Sequence, residues 1–119
     1  MATQSEITEA LADFQVQCNQ NERLRRMQRD WTKVLHIIAE DNESRHTMTV
    51  VEGETTKIEE GLVGVPDIIV TTNSETLCDM FWGDLNPAQK YLRGELKLKA
   101  SQEDVMRLDA INLIIWPDE

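Results

Sequence analysis

The first part of the chain carries apolar residues at helical spacing. Ile7, Leu11 and Phe14 recur three or four positions apart, which is the period of an amphipathic helix. Thr3 and Glu6 precede this run at the spacing of a capping box, in which each side chain accepts a hydrogen bond from the other residue's backbone N–H. The pattern predicts an N-terminal helix.

A second helical piece is predicted after Asn21. Leu24, Met27 and Trp31 repeat the helical spacing, so residues 1–30 are interpreted as an N-terminal helical segment. The same piece carries four arginines: Arg23, Arg25, Arg26 and Arg29. A solvated helix face is the favoured interpretation of this basic cluster, and contact with a phosphate head group is the alternative.

From residue 33 the pattern changes to that of β-strands. β-Branched and alternating apolar positions predict strands over 34–38, 46–51, 56–59, 68–72 and 95–99. Turn residues separate them, and 61–66 is a predicted loop. The run at 68–72 is apolar on both faces, which indicates a central strand.

The C-terminal part is divided by residues suited to helix boundaries. Capping side chains and glycines mark three predicted helices: Asn73 and Gly83 bound the first, Asn86-Pro87 and Gly94 the second, and Ser101 begins the last. The sum is a single α+β domain over 1–119, with about five strands in one sheet and helices covering mainly one face.

Composition narrows the classes of partner. The 119 residues carry 22 acidic and 12 basic side chains, a net charge of −10. This charge argues against nucleic-acid binding, which needs a basic face, and allows at most transient membrane contact. No apolar run reaches the ~20 residues of a membrane-spanning helix.

The two cysteines, Cys18 and Cys78, are too few and too far apart for a disulfide framework or a metal cluster. The N-terminus lacks the features of a secretion signal, and the chain ends without a peroxisomal address. We therefore expect a cytoplasmic protein.

Residues for catalysis are few. His36 and His46 are predicted on different strands without metal-ligand spacing, and no nucleophile elbow or phosphate-binding loop occurs. A carboxylate pair assembled from distant parts is the remaining enzymatic alternative. We expect no enzyme activity, no metal site and no cofactor.

The predicted last helix has more apolar residues than one buried stripe requires. Six fall within nine positions: Leu108, Ile111, Leu113, Ile114, Ile115 and Trp116. The surplus needs a further burial partner, which could be a ligand, another subunit or the N-terminal helix. Ordinary core packing is the alternative for each residue taken singly.

The order of elements over residues 31–116 resembles the sterol carrier protein 2 family, also called non-specific lipid-transfer proteins, and in particular its small stand-alone prokaryotic members. The matching stretches are Pro66–Val70, Phe81–Gly83, Asn86-Pro87, Tyr91–Leu98 and Asp104–Asp109. Ala100-Ser101 departs from the family's usual glycine and acidic residue.

The resemblance implies a non-enzymatic carrier that encloses a fatty-acyl, acyl-CoA, phospholipid or sterol-like ligand in an apolar tunnel beneath the C-terminal helix. The residues predicted to line it are Leu77, Phe81, Trp82, Leu85, Leu92, Met106, Leu108, Ile111, Ile115 and Trp116. The unbranched side chains of Met48, Met80 and Met106 suit an adaptable wall. The alternative is a protein-interaction or dimerisation module of the same fold with a filled core, which would pack against a partner or a second copy of the chain.

Overall fold

Residues 2–115 are described by the structure, which is a computed structural model. Helices and strands follow one another along the chain in this order: α1 (Gln4–Gln20), α2 (Glu22–Met27), β1 (Lys33–Ala39), β2 (Arg45–Val51), β3 (Glu54–Glu60), β4 (Ile68–Thr72), α3 (Ser74–Trp82), α4 (Pro87–Leu92), β5 (Lys97–Lys99) and α5 (Gln102–Ile115).

Three helix boundaries predicted from the sequence, the start of α1 and both ends of α3, are confirmed. Thr3 and Glu6 form the reciprocal capping box at the start of α1. Asn73 accepts a hydrogen bond from the backbone N–H of Thr76 at 2.8 Å, which satisfies a free donor in the first turn of α3. Gly83 ends α3 in the left-handed conformation, with φ of 86°.

The five strands form one sheet in the order β3-β2-β1-β4-β5. β1 and β4 are parallel, and the other neighbouring pairs are antiparallel. The predicted α+β class and the number of strands are confirmed. The predicted internal position of β4 is confirmed, because it pairs with β1 on one side and β5 on the other.

The helices cover one face of the sheet, and a loop crosses the other. Residues 61–67 connect the edge strand β3 to β4, so they must pass β2 and β1. His36 Nε2 lies 3.1 Å from the carbonyl oxygen of Val63, and the Thr47 hydroxyl donates to the carbonyl of Gly61 at 2.7 Å. These bonds hold the loop against the helix-free face.

Two predicted elements are shorter than expected. β5 begins at Lys97 rather than Glu95, because the N–H groups of Glu95 and Leu96 both donate to the carbonyl oxygen of Lys90 at the end of α4. α2 ends at Met27, and Trp31 follows it in a turn closed by the bond from its N–H to Gln28.

The core lies between the sheet and α1 and α3. Ile7 and Leu11 are completely buried on one face of α1, as their spacing predicts. Phe14 of α1 meets Phe81 of α3 edge to face, with ring centroids 5.0 Å apart. Such a pair adds about 0.5–1.5 kcal/mol beyond its burial and fixes the distance between the two helices.

Candidate functional site

A cavity of about 320 Å³ lies between the helix-covered face of the sheet and the helices α3, α4 and α5. This volume is at the lower end of the roughly 300–1,000 Å³ typical of small-molecule sites. All five strands of the sheet contribute lining residues: Leu35 of β1, Met48 and Val50 of β2, Thr55 of β3, Val70 of β4 and Leu98 of β5.

The helical walls come from five elements, so the cavity depends on tertiary packing rather than on one motif. The residues on the helices that line it are Phe14, Cys18, Leu24, Met80, Phe81, Pro87, Ala88, Tyr91, Leu92, Val105, Met106, Leu108, Asp109, Ile111 and Asn112. Trp31 and Gln28 close it between α2 and β1.

Most polar side chains of the wall already form hydrogen bonds with other groups of the protein. The Gln28 side chain accepts from Arg107 Nη1 at 2.8 Å and donates to the Arg107 carbonyl at 3.3 Å. Asn112 Nδ2 donates to the carbonyl of Leu108 at 3.1 Å. Burial raises the pKa of the Cys18 thiol to about 12, so it stays neutral. The interior of the cavity therefore suits apolar groups.

A set of polar contacts fixes the N-terminal half of α5 above the cavity. The indole N–H of Trp31 donates to Asp104 Oδ1 at 2.9 Å, and both side chains are buried. Lys33 Nζ lies 3.5 Å from the other oxygen of Asp104. Arg107 makes two hydrogen bonds to Asp30, at 2.9 and 3.2 Å. Bidentate pairs of this kind set orientation as well as distance.

The outer wall, α4, is held differently. None of its residues is buried, and the hydrogen bonds at its ends stay within residues 86–96. Glycines with positive φ, Gly83 and Gly94, lie on either side of it. Few buried contacts and local hydrogen bonds characterise segments that open at low free-energy cost.

The mouth of the cavity is marked by lining residues that are also exposed. Leu92 on α4 is 83% exposed and Met106 on α5 is 66% exposed, yet both line the cavity. Asp109 is exposed on α5 one turn after Met106 and lines the cavity as well. The opening therefore lies along the α4 and α5 side.

The structure brings together five of the ten residues that the sequence suggested for the wall. They are Phe81, Leu92, Met106, Leu108 and Ile111. All three methionines proposed as adaptable wall residues, Met48, Met80 and Met106, also line the cavity.

Four other proposed residues do not line it. Leu77 is buried in the filled part of the core, and Trp82 is exposed beside a separate acidic groove. Leu85 and Ile115 pack, partly buried, against the core. Trp116 lies outside the described residues.

Apart from Met48, sequence reasoning missed the floor of the cavity, which the sheet forms. Leu35 and Val70 were recognisable as strand residues, and their alternation predicts which residues share a face. The two-residue period of a strand does not show whether a helix side chain fills the space above these residues. The basic cluster on α2 lies apart from the cavity, where Arg25, Arg26 and Arg29 border another groove with three glutamates.

No protein-family model and no curated protein matches the sequence. Solved structures do match. The crystal structure of sterol carrier protein 2 superimposes with a TM-score of 0.68 over 90% of this chain and 93% of that chain, at 13% identity. UbiJ-SCP2, a ubiquinone synthesis protein, gives 0.68 over 92% and 94%, at 13% identity. This chain has the sterol carrier protein 2 fold.

The same fold is found in palmitated SCP2L2 from Aedes aegypti, with a TM-score of 0.53 over 76% of this chain and 88% of that chain, at 15% identity. Within residues 2–115, none of the helices is long and apolar enough to cross a membrane. No cluster of three or more potential metal ligands occurs in the same range.

Proposed function

We propose that this protein reversibly encloses the apolar chain of a lipid in the cavity beneath α5 and carries it through the cytoplasm without chemical change. The observation that supports this proposal is the apolar cavity of about 320 Å³ that opens at Leu92 and Met106. The palmitated protein of the same fold provides a precedent for an acyl ligand.

The energetics favour a carrier. Burying each methylene contributes about 0.8 kcal/mol relative to water. A bilayer offers the chain nearly the same gain, so transfer between the two is close to balanced. A protein with this task needs a dry cavity and a wall that can move, and α4 meets the second requirement because its residues are not buried.

The test begins with the purified protein. Mass spectrometry of its organic extract is expected to show a co-purified lipid, and light scattering gives the number of subunits. After lipid removal, dodecan-1-ol is added at about 100 times its dissociation constant. Saturation at that level stabilises the native state by about 2.7 kcal/mol, which corresponds to a melting-temperature rise on the order of 10 °C for a domain of this size.

A pair of variants tests the location. Leu108→Trp places an indole in the cavity, whereas Leu113→Trp makes the same change on the same helix at a position that is 54% exposed and does not line the cavity. We expect the first variant to bind dodecan-1-ol at least about tenfold more weakly and the second to match the natural protein. A lipid-free dimer with no response to the alcohol would instead support the interaction module.

A further inference from the structure

We infer that the cavity, if it holds a lipid as proposed above, selects one with an uncharged head group that donates a hydrogen bond, and that Asp109 is the residue that makes this selection. Asp109 is the one carboxylate among the described lining residues. Within residues 2–115 its side chain has no hydrogen bond or ion pair. Its acceptor oxygens are therefore available at the mouth.

The lining offers no positive charge to a bound anion. Lysine, arginine and histidine are all missing from the described residues that form the wall. Arg93, which follows Leu92, is exposed and does not line the cavity, and two other nearby cations are already paired. Lys90 of α4 lies 3.1 Å from Glu95, and Arg107 of α5 is held by Asp30. A carboxylate or phosphate head group would meet Asp109 without a compensating partner.

The position of Asp109 on α5 explains why it meets the head group. Val105, Asp109 and Asn112 follow one another at helical spacing, so their side chains share the face of the helix that lines the cavity. Val105 and Asn112 are half-buried and Asp109 between them is exposed, so the Asp109 carboxylate lies where this lining face meets solvent. A chain that fills the interior leaves its head beside Asp109.

Two effects then act in the same direction. An O–H group donates to a carboxylate in a charge-assisted hydrogen bond, which is roughly twice as strong as a neutral one. A second carboxylate about 6 Å away is repelled, and at the effective dielectric of a protein surface this weakens binding by roughly 3- to 100-fold. The net charge of −10 adds to the repulsion of anions.

Three ligands with the same apolar chain separate these effects: dodecan-1-ol, methyl dodecanoate and dodecanoate. Each is titrated by calorimetry into the delipidated protein and into Asp109→Asn. The alcohol is more apolar than the anion, so it is expected to bind more tightly even without Asp109. The informative quantity is therefore the change in the ratio of their dissociation constants between the natural protein and Asp109→Asn. We expect Asp109→Asn to reduce the preference for the alcohol over dodecanoate by about tenfold, and the preference for the alcohol over the methyl ester by a smaller factor.

The control variant is Glu9→Gln, which removes one negative charge from an exposed position on α1 outside the cavity. It should leave both ratios within about twofold of the natural protein. Arg93→Gln tests the cation that follows Leu92 in sequence, and it should leave dodecanoate binding unchanged.

The outcomes separate this inference from the proposed function. If none of the three ligands binds, the carrier proposal itself fails. If all bind and Asp109→Asn does not alter the ratios, Asp109 does not select the head group, although the carrier proposal stands. Loss of dodecanoate binding in Arg93→Gln would show a cationic site for anions and would likewise overturn the inference.

Discussion

The volume of the cavity predicts how affinity depends on ligand length. In a series of straight-chain alcohols from hexanol to hexadecanol, each methylene that enters the cavity contributes about 0.8 kcal/mol, which is roughly a fourfold decrease in dissociation constant. A methylene occupies about the room of one water molecule, ~30 Å³, so a cavity of this size holds on the order of ten carbons. The volume of the cavity is about 320 Å³.

We therefore expect a plot of binding free energy against chain length to be steep up to about decanol and then to flatten. Additional methylenes would lie at the mouth beside Leu92 and Met106, which are largely exposed and bury little of the chain. Calorimetry at a fixed temperature gives the slope directly, and the heat capacity change of binding should grow more negative along the steep part only.

The control is the Leu108→Trp variant described above. Its indole should move the break about two carbons shorter, because it exceeds leucine by roughly the volume of two water molecules. A slope that continues unchanged to hexadecanol would refute the reasoning, since it would mean that the chain lies along the surface. A flat series would mean that no chain enters.

Three further predictions concern the frame of the cavity. Asp104→Ala removes the acceptor of the buried Trp31 N–H and should lower the free energy of unfolding, as determined by urea denaturation, by about 2–4 kcal/mol. The loss in the double variant with Trp31→Phe should differ strongly from the sum of the two single losses, because both changes break the same bond. Gly53→Ala places a Cβ 2.6 Å from the Gln28 backbone and should destabilise the protein clearly more than the control Gly64→Ala. Gly64 has a similar positive φ but open space around it, so equal losses of stability in the two variants would contradict the clash. Cys18, with its pKa raised to about 12, should resist alkylation at pH 8 in the native state and react after unfolding, as followed by mass spectrometry.

The ends of the helices and the faces of the strands are determined by residues close together in the chain, so the sequence predicts them. Asn73, Asn86 and Ser101 each accept a hydrogen bond from a backbone N–H within three residues, so their role is visible in a short window. Gly83 and Gly94 have the positive φ that a helix end requires. Strand alternation likewise depends only on neighbours in the chain.

The cavity is not encoded in this way. Leu77 and Phe81 lie one turn apart on the same face of α3, yet Leu77 is packed in the core and Phe81 lines the cavity. The difference arises from what lies opposite each side chain, and that depends on residues far away in sequence. Trp31 and Asp104, which position α5, are separated by 73 residues, and no sequence period connects them.

The two sides of the cavity are held in different ways, and this difference explains how an apolar space stays open in a folded protein. Apolar walls collapse onto one another unless something else sets their distance, because burial favours contact. Here the position of α5 is set by the Trp31–Asp104 bond and by the Arg107–Asp30 pair, which hold the helix at its N-terminal half through polar contacts of fixed length. Among residues 2–115 the opposite wall, α4, forms no such bonds to the rest of the fold, and none of its residues is buried, so it can move outward without breaking the core. For the carrier function proposed above, we therefore expect the chain to enter past α4 while α5 stays in place.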